Sequence, residues 1–247
     1  MSGVQSHTAS QTALRQLAPH GVLRAAINLG NTVLAQRASE TGELSGVSVD
    51  LATELGQQLG VEVQLVTFDA AGKVFEALAT GGWDVAFLAI DSLRGEQIAF
   101  TPPYVLIEGA YMVRNDSRAQ KSADIDRPGA QITVGAGSAY DLYLTRTLKH
   151  AQIERHATAA DAFDAFVTRR LSAAAGVRQV VSRFAATHDG LRVLDDSFMT
   201  IQQAMGVPKA HTEAAAFLST FIGNMKAQGR IARSLQQSGQ TAAVVAP

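Results

Sequence analysis

The chain has 247 residues, 47% of them hydrophobic and 17% charged, which is enough apolar material for real cores and excludes disorder as the main state. A net charge of -1 and a pI near 6.6 give no electrostatic footing for nucleic acid or an anionic membrane surface. With no cysteine there is no disulfide, thiol nucleophile or thiolate metal site, and no apolar stretch reaches the ~18 residues a bilayer span needs, so no membrane insertion is expected.

The first 21 residues lack the basic n-region and apolar h-region of a secretory leader. As encoded, the chain is expected to be cytoplasmic; it would be periplasmic if a leader had been removed. Val22 to Leu29 reads as a first strand, Gly42 and Gly46 punctuate a hairpin-like turn, and Leu51, Leu55 and Leu59 mark a helix that Gly60 stops. Val61 to Phe68 alternates as a second strand, and Val74, Phe75 and Leu78 mark a second helix ending at Gly81-Gly82. Val85 to Ile90 is an apolar run suited to a buried parallel strand, completing a βαβαβ pattern.

Asp91 then reads as a helix N-cap, and Arg94 follows within about one turn. That puts a guanidinium just beyond the carboxyl end of a strand, where open α/β sheets place their ligands. Pro102 and Pro103 hold the next segment extended, and an extended apolar stretch runs from Val105 to Val113.

After a polar linker, Arg114 to Gly129, a second unit begins. It has a short strand (Ile132 to Val134), a Gly135-Ala136-Gly137 turn, and a helix (Tyr140 to Lys149). Two more helices follow, marked by Phe163, Phe166 and Val167, then by Val177, Val180, Val181 and Phe184. Leu191 to Leu194 reads as a strand and Thr200 to Pro208 as a second extended crossing. A last long helix, from about Thr212 to Gln228, carries Phe217, Leu218, Phe221, Ile222 and Met225 on one face.

Asp84-Val85-Ala86, Arg94 and Phe100-Thr101-Pro102-Pro103-Tyr104, in this order, resemble the bacterial solute-binding proteins that bind polar amino acids. The resemblance runs from about Gly21 to Gly239. It implies an α/β fold of two lobes, the type II periplasmic-binding-protein fold, each lobe a mixed, mainly parallel sheet flanked by helices. Lobe 1 would comprise residues 21–110 and 204–247, lobe 2 residues 111–203, and residues 1–20 an N-terminal helical extension. It also implies non-enzymatic binding of a small carboxylate-bearing solute by hinge closure, by a monomer without a cofactor, with an ABC-type permease as partner.

By the same resemblance Arg94 would grip the ligand carboxylate, and the helix start at Ser138 and Ala139 would meet it from lobe 2. Phe87 and Ala89 stand where the family has small or hydroxyl side chains, trading polar contacts for an apolar wall. Asp91 is either a plain cap or a contact for a ligand amine. Tyr140 either reaches the cleft or packs on the lobe. Members that bind α-amino acids place an ammonium-pairing Asp where this chain has Val177, so the amine anchor is missing; Arg178, next to it, offers a second positive charge or lies exposed on its helix. Asn28 belongs to the first-strand turn, where an aromatic lid is in doubt.

The six histidines show no HExxH or i,i+4 pair, and Gly135-Ala136-Gly137-Ser138 is neither a nucleophile elbow nor a Walker loop, so neither metal nor phosphate chemistry is expected. A dehydratase-like enzyme on the same fold, using Asp91 or Glu108 as general acid, and a cytoplasmic ligand-sensing module are the alternatives.

Overall fold

The computed structural model describes residues 9–247. Of the expected N-terminal extension, residues 1–8 lie outside the described residues, and the rest contains helix α1 (Gln11–Leu17), capped by the Ser10 hydroxyl, which accepts from the Ala13 N–H at 3.0 Å. The first lobe then runs β1 (Val22–Asn28), the hairpin β2 (Gln36–Arg37) and β3 (Leu44–Ser45), α2 (Val47–Leu59), β4 (Glu62–Phe68), α3 (Ala71–Ala77), β5 (Val85–Ala89), α4 (Ser92–Gly95) and β6 (Ile98–Phe100). The chain crosses on β7 (Val105–Arg114) and builds the second lobe from β8 (Gln131–Gly135), α5 (Ala139–Thr147), β9 (Gln152–His156), α6 (Ala159–Thr168), β10 (Ala173–Val177), α7 (Arg178–Ala186) and β11 (Leu191–Val193). It returns on β12 (Met199–Pro208) to α8 (Thr212–Ala227), α9 (Arg230–Gln237) and β13 (Val244–Val245).

The strand order β4-β1-β5-β12-β7-β10-β8-β9 explains the shape. β1 pairs parallel with β4 and β5, and β8 pairs parallel with β9 and β10, so each lobe carries its own parallel triplet. Between them lie β7 and β12, each ten residues long, antiparallel to each other and to the neighbouring triplet strand. These two strands connect the lobes, and the carboxyl ends of both triplets face the gap between them. α9 packs back on the first lobe, where Arg230 donates to Glu54 at 2.6 Å.

β5 is buried at every residue from Val85 to Ala89, as a strand covered on both faces must be. Ile90, expected to belong to the same buried run, is 38% exposed because the strand ends one residue earlier. Asp84, at the entry to β5, is buried and accepts from the backbone and guanidinium of Arg24, with one contact at 2.6 Å. Tyr104 is fully buried, edge-on to Phe87 with ring centroids 6.3 Å apart, so the Pro-Pro-Tyr segment serves the core at the start of β7.

Two strands depart from the sequence reading. β9 is an edge strand with only Ile153 apolar, and nothing in its polar alternation distinguishes it from a loop. Residues 173–177, Ala-Ala-Ala-Gly-Val, form the fully buried central strand β10, and Val177 ends it rather than opening a helix. Small side chains are required there, because a Cβ on Gly176 would stand 2.7 Å from Val181 and 3.0 Å from Phe163. Among the described residues no helix is long and apolar enough to cross a membrane.

Candidate functional site

A cavity lies between the lobes at the carboxyl ends of β1, β4, β5, β8 and β10. From the first lobe Asn28, Asp69, Phe87, Ala89 and Arg94 line it; from the second come Ser138, Ala139, Tyr140 and Val177, and from β12 Ile201 and Gln203. The space open to the centre of a water-sized sphere is about 50 Å³. One water needs roughly 10–15 Å³ by the same measure, so the cavity holds a group of a few heavy atoms.

Arg94 is placed by the short helix α4, which Asp91 starts by accepting from the Leu93 N–H at 2.9 Å. Its guanidinium is wholly buried. Nη1 donates to the Ala89 carbonyl at 2.9 Å and Nη2 to the Gly137 carbonyl of the second lobe at 2.7 Å, while Nε has no partner. Burial lowers the Arg94 pKa to about 10, with the charge of Asp91 pulling the other way, so the group stays cationic through the neutral range. Among the described residues no carboxylate hydrogen-bonds to it. A buried cation with a free donor beside a cavity is the arrangement an anion completes.

The second lobe meets this cation with the start of α5. Ser138 caps the helix by accepting from the Asp141 N–H at 3.1 Å, and the Asp141 carboxylate accepts from the Gly137 N–H at 2.8 Å, which ties down the turn that carries the Gly137 carbonyl. Tyr140 does both things its two readings offered: it lines the cavity and packs in the buried core. Burial pushes its hydroxyl up to about 12, while hydrogen bonding to Ser138 and the Gly135 backbone pulls the other way, so it remains a neutral phenol.

Asp91 and Arg178 do not line the cavity. The second oxygen of Asp91 is held across the lobes by Arg146 at 2.7 Å, so both of its oxygens are engaged outside the pocket. Arg178 pairs with Glu108 and donates to the Leu194 and Asp195 carbonyls at 3.0 and 3.1 Å, which turns it away from the cavity toward the crossing strands. Val177 does line the wall, with no charge to offer.

The sequence reading missed Asp69 and Gln203. Asp69 follows the end of β4 and is the one carboxylate lining the cavity among the described residues; its side chain is 60% exposed and held by Lys73 one helical turn on, at 2.8 Å. Its signal was position alone, directly beyond the carboxyl end of a parallel strand. Gln203 is 5% exposed and sits mid-strand on β12, where only the pleat decides which side chains face the gap. Among the described residues no group of three His, Cys, Asp or Glu is placed to hold a metal ion.

Two lobes, each with a parallel strand triplet, joined by two antiparallel crossings with a cavity between them, have the type II periplasmic-binding-protein fold. The family model for bacterial extracellular solute-binding proteins, family 3, matches residues 30–240, and the chain belongs to that family. The L-cystine-binding protein TcyJ of Escherichia coli strain K12 is 23% identical over 201 residues, 78% of this chain and 73% of that protein. Cyclohexadienyl dehydratase of Pseudomonas aeruginosa is 28% identical over 153 residues, 60% of this chain and 56% of the enzyme. The membrane-bound lytic murein transglycosylase F of Maricaulis maris strain MCS10 is 32% identical over 109 residues, 42% of this chain; the chain spans only 23% of that protein. Among solved structures, a mutant of the arginine-binding protein from T. maritima superposes with a TM-score of 0.78 at 23% identity, covering 91% of this chain and 98% of that one.

Proposed function

We propose that the chain binds a small carboxylate-bearing solute in the cavity between its lobes and releases it by lobe opening, as the receptor of an ABC-type permease. The observation that carries this reading is Arg94, a wholly buried cation that lines the cavity and whose Nε has no partner among the described residues. A ligand carboxylate takes that donor and, once the Gly137 carbonyl moves aside, Nη2 as well, in the bidentate geometry that guanidinium favours. Ser138 and Tyr140 bring hydroxyls from the other lobe, so a ligand held by both sides stabilises the closed form. The family and the cystine-binding relative support a small solute as cargo.

The dehydratase relative favours a second reading, catalysis in the same cavity. It needs a general acid, and both candidates from the sequence are committed elsewhere, Asp91 to Arg146 and Glu108 to Arg178. With those two engaged and Asp69 the one carboxylate left in the cavity lining among the described residues, the family and the cystine-binding relative make binding without turnover the better supported function.

The test is calorimetry with short carboxylic acids and their uncharged amides, on the natural chain and on Arg94→Met. Acids should bind and amides should not, and Arg94→Met should cost about 2–5 kcal/mol of affinity. Circular dichroism checks that the variant folds, since the Ala89 carbonyl loses its donor. Equal binding of acids and amides, or a folded variant with full affinity, would remove Arg94 from the site. Product formed from a bound acid on prolonged incubation would instead establish the catalytic reading.

A further inference from the structure

The cavity at Arg94 does not end at its own wall. Gly30, Asp69, Ala159, Phe163 and Val180 line it and also line a second, larger hollow at the mouth of the cleft. Measured in the same way, that vestibule is about 530 Å³, some ten times the inner space. Its surface is mainly apolar: Leu29 from the first lobe faces Ala160, Phe163, Val180 and Phe184 from the second. The aromatic wall is fixed in place. Phe184 stands edge-on to Phe163 with centroids 5.2 Å apart, and His188 stacks on Phe184 at 3.9 Å. Arg183 reaches across the mouth to the Thr32 hydroxyl at 3.1 Å.

We infer that the ligand is a monocarboxylic acid with an apolar tail, its carboxylate at Arg94 in the inner cavity and its alkyl or aryl body in the vestibule between Leu29 and Phe184. The inner space is too small for more than a head group, and the contiguous vestibule offers apolar surface that a tail would remove from water. A second carboxylate on the ligand would have to lose its hydration against this mainly apolar wall, beside Asp69 where the two spaces join and with Arg183 already bonded to Thr32, so dicarboxylates are disfavoured. The inference rests on the carboxylate reading above.

The experiment is calorimetry on the full chain with acetate, butyrate, hexanoate, octanoate, 3-phenylpropionate and succinate, each beside its amide. From butyrate to octanoate affinity should rise about two- to fourfold per added methylene, the scale of apolar burial, and 3-phenylpropionate should exceed succinate by at least about tenfold. Ala160→Asp puts a charge into the vestibule at an exposed position in the first turn of α6, where an acid suits the helix end and folding is preserved. It should weaken octanoate by about tenfold and acetate by much less. Acids that bind with no dependence on tail length, or an Ala160→Asp effect equal for acetate and octanoate, would overturn the vestibule and leave Arg94 standing. Amides matching acids at every length, with the length dependence kept, would overturn the carboxylate reading and leave the vestibule. No binding by any member would overturn both.

Discussion

Arg94 and Asp69 put opposite charges into one small space, and their surroundings decide which dominates. Arg94 is wholly buried with a free Nε; Asp69 is more than half exposed and already held by Lys73. A free α-ammonium drawn into the cavity would lose its hydration for a carboxylate that is shared and solvated, while Val177 offers nothing in compensation. We therefore expect 3-phenylpropionate to bind at least as tightly as phenylalanine in a competition assay. A preference for the zwitterion that disappears in Asp69→Asn would reverse this and make Asp69 the amine anchor. The pH profile has two signs. Affinity should be level from about pH 6 to 9 and fall as Arg94 loses its proton above about 10. The folded pKa lies below the unfolded one, so the unfolded chain holds more protons in that range and the stability contribution of Arg94 rises with pH there. Titration calorimetry and thermal unfolding across pH 8–11 separate the two. A plateau in affinity extending beyond pH 11 would mean that burial lowers the Arg94 pKa less than this, and Arg94→Met then decides its role.

Elements were legible where apolar pattern and punctuation agreed, and illegible where a strand carried neither. β1, β4 and β5 announce themselves by β-branched and alternating residues between glycines, and the Asp91 cap and Pro102-Pro103 fix the place of Arg94 at the end of β5. β10 hides because alanine and glycine have low strand propensity; it exists because Val181 and Phe163 pack where larger side chains would stand. α9 is eight residues of mixed polarity around a few buried positions, Ile231 and Leu235 among them, and followed Gly229 without a distinct signal. The same reasoning left Arg178 open between the cleft and an exposed helix face; its bonds to Glu108 and the Leu194 carbonyl, which hold it at the crossing strands, are tertiary facts that no local pattern carries. At this scale Gly176→Ala is the informative change. Its Cβ must displace the Val181 methyl and the Phe163 ring, and overpacking of this kind costs about 1–3 kcal/mol. Denaturant unfolding should show that loss, and an unchanged midpoint would mean β10 tolerates more volume than its packing suggests.

The molecule as a whole is arranged so that its two lobes meet at backbone and not only at side chains. A Cβ on Gly72, in the first turn of α3, would stand 2.6 Å from the Ala136 carbonyl of the second lobe, and one on Gly137 would stand 2.8 Å from the Gly72 Cα. Around that contact the Arg94 bond to Gly137, the Asp91–Arg146 pair and the Arg183 bond to Thr32 all cross the gap. Gly72 is the position where closure can be tested apart from folding. Its backbone is helical, so alanine there favours α3, by up to about 1 kcal/mol, and adds its methyl only to the interlobe contact. Gly137 has φ +66°, so alanine there would strain the loop in either form and would not separate the two effects. We expect Gly72→Ala to keep or raise the melting temperature while weakening 3-phenylpropionate by about tenfold. Small-angle scattering should show the natural chain becoming more compact when saturated with that acid and the variant responding less. If Gly72→Ala binds and compacts like the natural chain, this glycine contact is not what closure requires, and the ligand must be held by a more open arrangement of the lobes.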